Sequence, residues 1–162
     1  MRKIILALCA ALLLFCIGGA GLAGETSGAI WSGGDSQTEM ETKEAQSQMK
    51  MKIGETTVEV AWENNASVEA LKELAKDGLT IQMSMFGGFE QVGSIGRRLP
   101  SRDTETVTAS GDIVLYSSSQ LVVFYGSNSW AYTRLGHITD KTPEEMRELL
   151  SQGDVTITLS VE

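Results

Sequence analysis

Two apolar runs separated by a short polar break constrain this chain's fold more than any other feature: Gly111-Asp112-Ile113-Val114-Leu115-Tyr116, then Ser117-Ser118-Ser119-Gln120, then Leu121-Val122-Val123-Phe124-Tyr125. β-Branched and aromatic side chains fill both runs, which suits a pleated, packed surface, and the break is too short for anything but a hairpin connection. A little further on, Ser129-Trp130-Ala131-Tyr132-Thr133-Arg134-Leu135-Gly136 predicts another strand, with aromatic and basic side chains available to line a pocket.

The rest of the region after Met49 repeats the theme. Met49 to Ile53 and Thr57 to Trp62 alternate apolar and polar residues around Gly54-Glu55, which predicts a hairpin. Val68, Leu71, Leu74 and Ala75 share one face of a predicted helix over about 67–76, with Asn64 or Asn65 as its cap and Asp77-Gly78 as its stop. Leu79 to Met85 is a strand with apolar residues at odd positions; Gly87-Gly88 breaks it, and Phe89 to Ile95 resumes extended structure. Val107 sits in a Thr-rich stretch suited to pairing at an edge. Thr142-Pro143-Glu144-Glu145 is a helix start whose parts agree: Thr142 caps, Pro143 fits the first turn, and Glu145 completes a capping box. Gly153 stops that helix, and Val155, Ile157, Leu159 and Val161 then alternate with polar residues in a closing strand with one buried face. About eight strands and two short helices in this order predict a mainly β domain over 49–162, a closed eight-stranded β-barrel with two short capping α-helices.

The N-terminus points to export. Arg2 and Lys3 precede an uncharged run from Ile4 to Ile17, and Gly21-Leu22-Ala23 follows with small residues where a signal peptidase reads. That order predicts a signal peptide over 1–23 and a secreted or cell-envelope protein. The run is shorter than the ~20 apolar residues of a spanning helix. Lipidation at Cys16 is the alternative, with Leu13 three residues upstream but Phe15 where a lipobox takes a small residue. Residues 24–48 shift to Gly, Ser, Thr, Gln and Glu and predict a disordered tether, because such a segment buries too little to offset its ordering entropy.

Both cysteines, Cys9 and Cys16, fall in the predicted signal peptide, so the mature chain has no thiol for a disulfide, a metal or a nucleophile. With Arg2 and Lys3 taken from the 13 basic residues, 11 remain against 21 acidic ones, a net charge of −10. A charge of that sign excludes nucleic acid as the expected partner and an electrostatic dock on anionic lipid. No membrane contact is expected of the mature domain unless Cys16 is lipidated, and a monomer is expected.

Read together, Phe89-Glu90-Gln91-Val92-Gly93-Ser94-Ile95, Leu99-Pro100, Gly111 to Tyr116, Leu121 to Tyr125, Tyr132-Thr133-Arg134-Leu135-Gly136 and Gly153-Asp154-Val155-Thr156-Ile157 resemble the bacterial cyclophilin-like domain family. The resemblance covers about 50–162 in order, with Gly96 standing where the family's loop is expected to carry a first proline. It implies the cyclophilin-type eight-stranded barrel and no assigned activity. True cyclophilins set an Arg guanidinium against a prolyl amide beside an aromatic pocket, and their Phe-His-Arg and Gln-Phe-Phe segments have no counterpart in this sequence. Peptidyl-prolyl isomerisation is therefore the alternative to simple binding, since fold and activity are separable.

Other chemistry finds little support. His137 is the only histidine and has no carboxylates at ligand spacing, so no metal site is expected. Ser117, His137 and Asp140 form a triad on paper, without a nucleophile elbow or an oxyanion loop. Gly87-Gly88 lacks the lysine and the helix of a phosphate loop. Asp112 and Asp154 each follow a glycine at a strand start, where turn chemistry suffices. What remains is a binding concavity: Arg134 among Phe124, Trp130 and Tyr132, with Arg97 and Arg98 as the one paired basic site. Guanidinium groups beside aromatic faces suit an unidentified small ligand or peptide with an anionic group and an apolar part. No cofactor and no catalytic residue is assigned.

Overall fold

The computed structural model describes residues 47–162. The signal peptide expected over 1–23 and all but the last two residues of the tether expected over 24–48 lie outside the described residues. The described chain runs β1 (Met49–Ile53), β2 (Thr56–Val58), β3 (Val60–Trp62), α1 (Ala66–Ala75), β4 (Leu79–Phe86), β5 (Glu90–Ser94), β6 (Thr104–Val107), β7 (Asp112–Tyr116), β8 (Gln120–Phe124), β9 (Ser129–Ile138), α2 (Pro143–Leu150) and β10 (Thr156–Val161). Gln48 already extends the first ladder, exchanging two backbone hydrogen bonds with Glu162.

All pairings are antiparallel, in the order β2-β1-β10-β4-β5-β8-β7-β9-β3, with β6 attached to β9. The two ends of that order are consecutive in sequence. β2 pairs with β1 (Met51↔Val58, Ile53↔Thr56), and one residue later β3 pairs with β9 (Val60↔Ile138, Trp62↔Gly136). Glu59 between them accepts from Thr139 N–H at 2.9 Å and donates its own N–H to Asp140 Oδ1 at 2.9 Å, so the bend leaves no backbone group unpaired. The sheet is thus nearly closed by one bent segment, 56–62. Counted as a single strand, that segment gives the circuit the expected eight members, with β6 outside it.

Side chains that point inward build one core: Met51, Ile53, Ile81, Met83, Ile113, Leu115, Leu121, Val123, Leu135, Ile157 and Leu159, joined by Leu71 and Ala75 of α1 and Met146 and Leu150 of α2. Each full burial of such a side chain contributes about 1.5–3 kcal/mol, which fixes the register of every strand that supplies one. Packing is close enough to dictate Gly93, where a Cβ would sit 2.6 Å from the Gln82 carbonyl oxygen on β4.

The helix ends are satisfied as the residue types predict. Asn65, one of the two expected caps, accepts the Val68 N–H at 3.0 Å. In α2 the Thr142 and Glu145 side chains and backbones bond reciprocally at 3.3 and 2.7 Å. Gln91 turns into the core from β5 and donates to the Leu150 and Gly153 carbonyls at 2.7 and 2.8 Å, tying down the end of α2.

β7 and β8 form the hairpin that the two apolar runs predict, with Ile113↔Val123 and Leu115↔Leu121 in register. Ser117 and Ser118 both take left-handed backbone (φ 50° and 63°), and the Ser119 N–H returns to the Tyr116 carbonyl at 3.2 Å. Both faces of this hairpin are apolar because both are covered. Val114, Val122, Phe124 and Tyr132 form a second cluster outside the barrel wall, with Phe89 and Val92 against it.

Candidate functional site

The outer cluster is the floor of a cavity of about 320 Å³, lined by Phe86, Glu90, Val92, Tyr116, Gln120, Val122, Asn128, Trp130 and Tyr132. Its walls come from five neighbouring strands. Val92 and Val122 are cross-strand partners on β5 and β8, and Val114 of β7 stands beside them. Tyr116 closes β7 opposite Gln120 at the serine turn. Phe86 stands at the end of β4, where Gly87 and Gly88 turn back with φ 61° and 75°. Glycine suits position 87, since its backbone is left-handed there and a Cβ would run into the Phe89 ring.

β6 and the 125–128 loop fix the opposite wall. Trp130 and Tyr132 project from the part of β9 that pairs with Thr106 and Thr104. The Thr108 backbone and hydroxyl pin Asn128 through three hydrogen bonds of 2.8 to 3.1 Å. Asn128 then donates from Nδ2 to the Tyr132 hydroxyl at 3.0 Å and holds the phenol in place. Tyr132 meets Tyr116 and Phe124 edge to face, with ring centroids 5.9 and 5.8 Å apart. Phe86 and Trp130 at the rim remain 65% and 58% exposed, an adjacent pair of large apolar rings left open to solvent.

Glu90 is the one carboxyl in this lining. It pairs with Phe124 across β5 and β8, is only 6% exposed, and its Oε2 has no hydrogen-bond partner. Burial among apolar side chains raises its carboxyl from 4.5 to about 7. Tyr132 is likewise pushed above the ordinary tyrosine range, chiefly by burial and then by Glu90, with the Asn128 hydrogen bond opposing.

Of the residues singled out in the sequence, Trp130 and Tyr132 line this cavity and Phe124 packs directly behind Tyr132. The three arginines lie elsewhere. Arg134 reaches Asp112 at 3.4 Å and the Val107 carbonyl at 3.2 Å, and lines a separate depression with Ser67, Pro100, Arg102 and Thr133. Arg97 and Arg98 are exposed on the segment between β5 and β6, where Arg98 donates to Ser118 Oγ at 3.2 Å. His137 does not meet Ser117 or Asp140. Its Nδ1 lies 2.8 Å from Asp112 Oδ1, while Asp112 Oδ2 accepts the Ala109 N–H at 2.8 Å, so this buried carboxylate is satisfied by a turn, an imidazole and a guanidinium. Among the described residues no group of three or more His, Cys, Asp or Glu stands together to hold a metal ion.

Sequence reasoning passed over Glu90, Tyr116, Phe86 and Asn128. The signal for Glu90 was indirect: it shares a strand face with Val92, and the strand it pairs with is apolar on both sides, so the outer face had to be covered.

A family model described as the cyclophilin-like family matches residues 51–160, the whole barrel from β1 into β10. None of the curated proteins and none of the solved structures matches the chain significantly.

Proposed function

The chain belongs to the cyclophilin-like family, and on that footing we propose that it is an exported binding module that takes a small ligand or a short peptide segment in the aromatic cavity on its outer barrel wall. The observation that carries this reading is the cavity itself: about 320 Å³, walled by rings, with Glu90 set in an otherwise largely apolar floor. Small-ligand sites have this make-up, an apolar pocket of a few hundred Å³ with a few convergent polar groups. Binding is favoured over chemistry because the polar groups that converge there are a carboxyl, two side-chain amides and two phenols, with no nucleophile set beside a base. The export part of the proposal rests on Arg2, Lys3 and the apolar run that follows them.

The test is a fragment titration followed by ¹H–¹⁵N NMR. Shifts are expected to cluster on the Trp130 indole and on the amides of Tyr116, Gln120 and Val122, and to vanish in Val92→Phe, which fills the floor. Shifts centred on Arg134 or Arg97 instead would move the site away from the cavity. An X-Pro peptide exchange assay belongs beside it, with exchange at the uncatalysed rate expected; catalysis lost on changing Tyr132 would replace the binding reading with the isomerase one.

A further inference from the structure

Resting on that cavity reading, we propose that the ligand carries an alkylated ammonium group, seated against the aromatic rings with Glu90 as its counter-ion. Three observations converge. Phe86, Tyr116, Trp130 and Tyr132 all face the same space, and the negative face of an aromatic ring attracts a cation. The lining includes one carboxyl and no lysine, arginine or histidine, so the cavity holds no positive charge of its own. Glu90 is 94% buried with an oxygen that no protein donor reaches, and a buried carboxylate without a partner is costly. A cationic guest in the cavity supplies a counter-charge that favours the ionised carboxylate.

Alkyl substitution follows from the walls, where four rings and the side chains of Val92 and Val122 face the guest. A primary ammonium would set three N–H donors against those apolar walls. Methyl groups on nitrogen instead pack against the rings, Val92 and Val122 and leave no donor unmet. The titratable groups facing Glu90 are the phenols of Tyr132 on β9 and Tyr116 on β7, and burial pushes the Tyr132 phenol further above the ordinary tyrosine range.

The experiment compares choline with its neutral carbon analogue, 3,3-dimethylbutan-1-ol, titrated into the full chain while the Trp130 indole N–H is observed. Choline is expected to bind at least about tenfold more tightly at pH 8. Between pH 8 and pH 5.5 its affinity should fall about 30-fold, following the ionised fraction of a carboxyl that titrates near 7. Glu90→Gln should cancel the pH dependence and most of the preference while leaving the alcohol's binding unchanged, and Trp130→Ala, at an exposed position, should weaken choline more than the alcohol. Equal affinity for the two probes, or choline binding untouched by Glu90→Gln, overturns the ammonium assignment and leaves the cavity standing. No response of Trp130 to either probe removes the cavity reading itself. Co-sedimentation with phosphatidylcholine vesicles identifies a lipid headgroup as the source of the group, and choline binding without it identifies a soluble compound; both support the assignment.

Discussion

Replacing Glu90 with Gln should stabilise this domain in a way that grows with pH. The unfolded chain releases the Glu90 proton near 4.5, whereas the folded chain holds it to about 7. Between those values the native state binds more protons than the unfolded state, so this group's contribution to stability falls as pH rises and is lost fully above about 7. A shift of about 2.5 pH units, at 1.36 kcal/mol each, amounts to about 3 kcal/mol. Glutamine has the same shape and no proton to lose in this range, so it removes the dependence while adding only a constant offset for its amide. Urea denaturation of both proteins at pH 4.5, 6 and 8 reads the effect as a difference in which all other titrating groups cancel. The stability difference should move by about 3 kcal/mol in favour of Glu90→Gln from pH 4.5 to pH 8, on the order of 10 °C in Tm. A difference that stays flat across that range would refute the reasoning, because Glu90 would then be as well solvated in the fold as in the open chain.

Three further substitutions probe the frame around the cavity. Gly93→Ala should cost about 2–3 kcal/mol, read as a lowered Tm, because the new methyl meets the β4 backbone 2.6 Å away. Ser117→Gly should stabilise by about 1 kcal/mol in urea denaturation, since Ser117 holds a left-handed φ of 50° in a turn that favours glycine. Thr142→Ala should lose about 1 kcal/mol and fray the first turn of α2, visible as faster amide exchange at Glu144 and Glu145, because it removes the hydroxyl half of the capping box.

What the sequence revealed and what it hid divide along a physical line. Local signals were legible: the 111–125 hairpin, the cap at Asn65, the Thr142 to Glu145 box and the alternation of β10 each depend on residues within one turn or one strand, and each stands where it was expected. The closure of the sheet was hidden, because segment 56–62 pairs forward with β9 some eighty residues away, and nothing near Glu59 announces that bend. That the arginines stand apart from this cavity was hidden for a similar reason. Arg134 shares a strand with Trp130 and Tyr132, yet its guanidinium reaches Asp112 on β7, whose buried carboxylate no local pattern displays. Glu90 carried no local signal because a single strand does not show what covers its outer face. The continuous apolar runs of β7 and β8 carried that information: a strand with no polar side is covered on both.

The most direct measurement is the titration of the Glu90 carboxyl by ¹³C NMR, with and without saturating choline. A midpoint near 7 in the free protein, driven well below that value when choline is bound, is the predicted result. A midpoint at the ordinary 4.5, or one near 7 that choline leaves in place, would contradict the account.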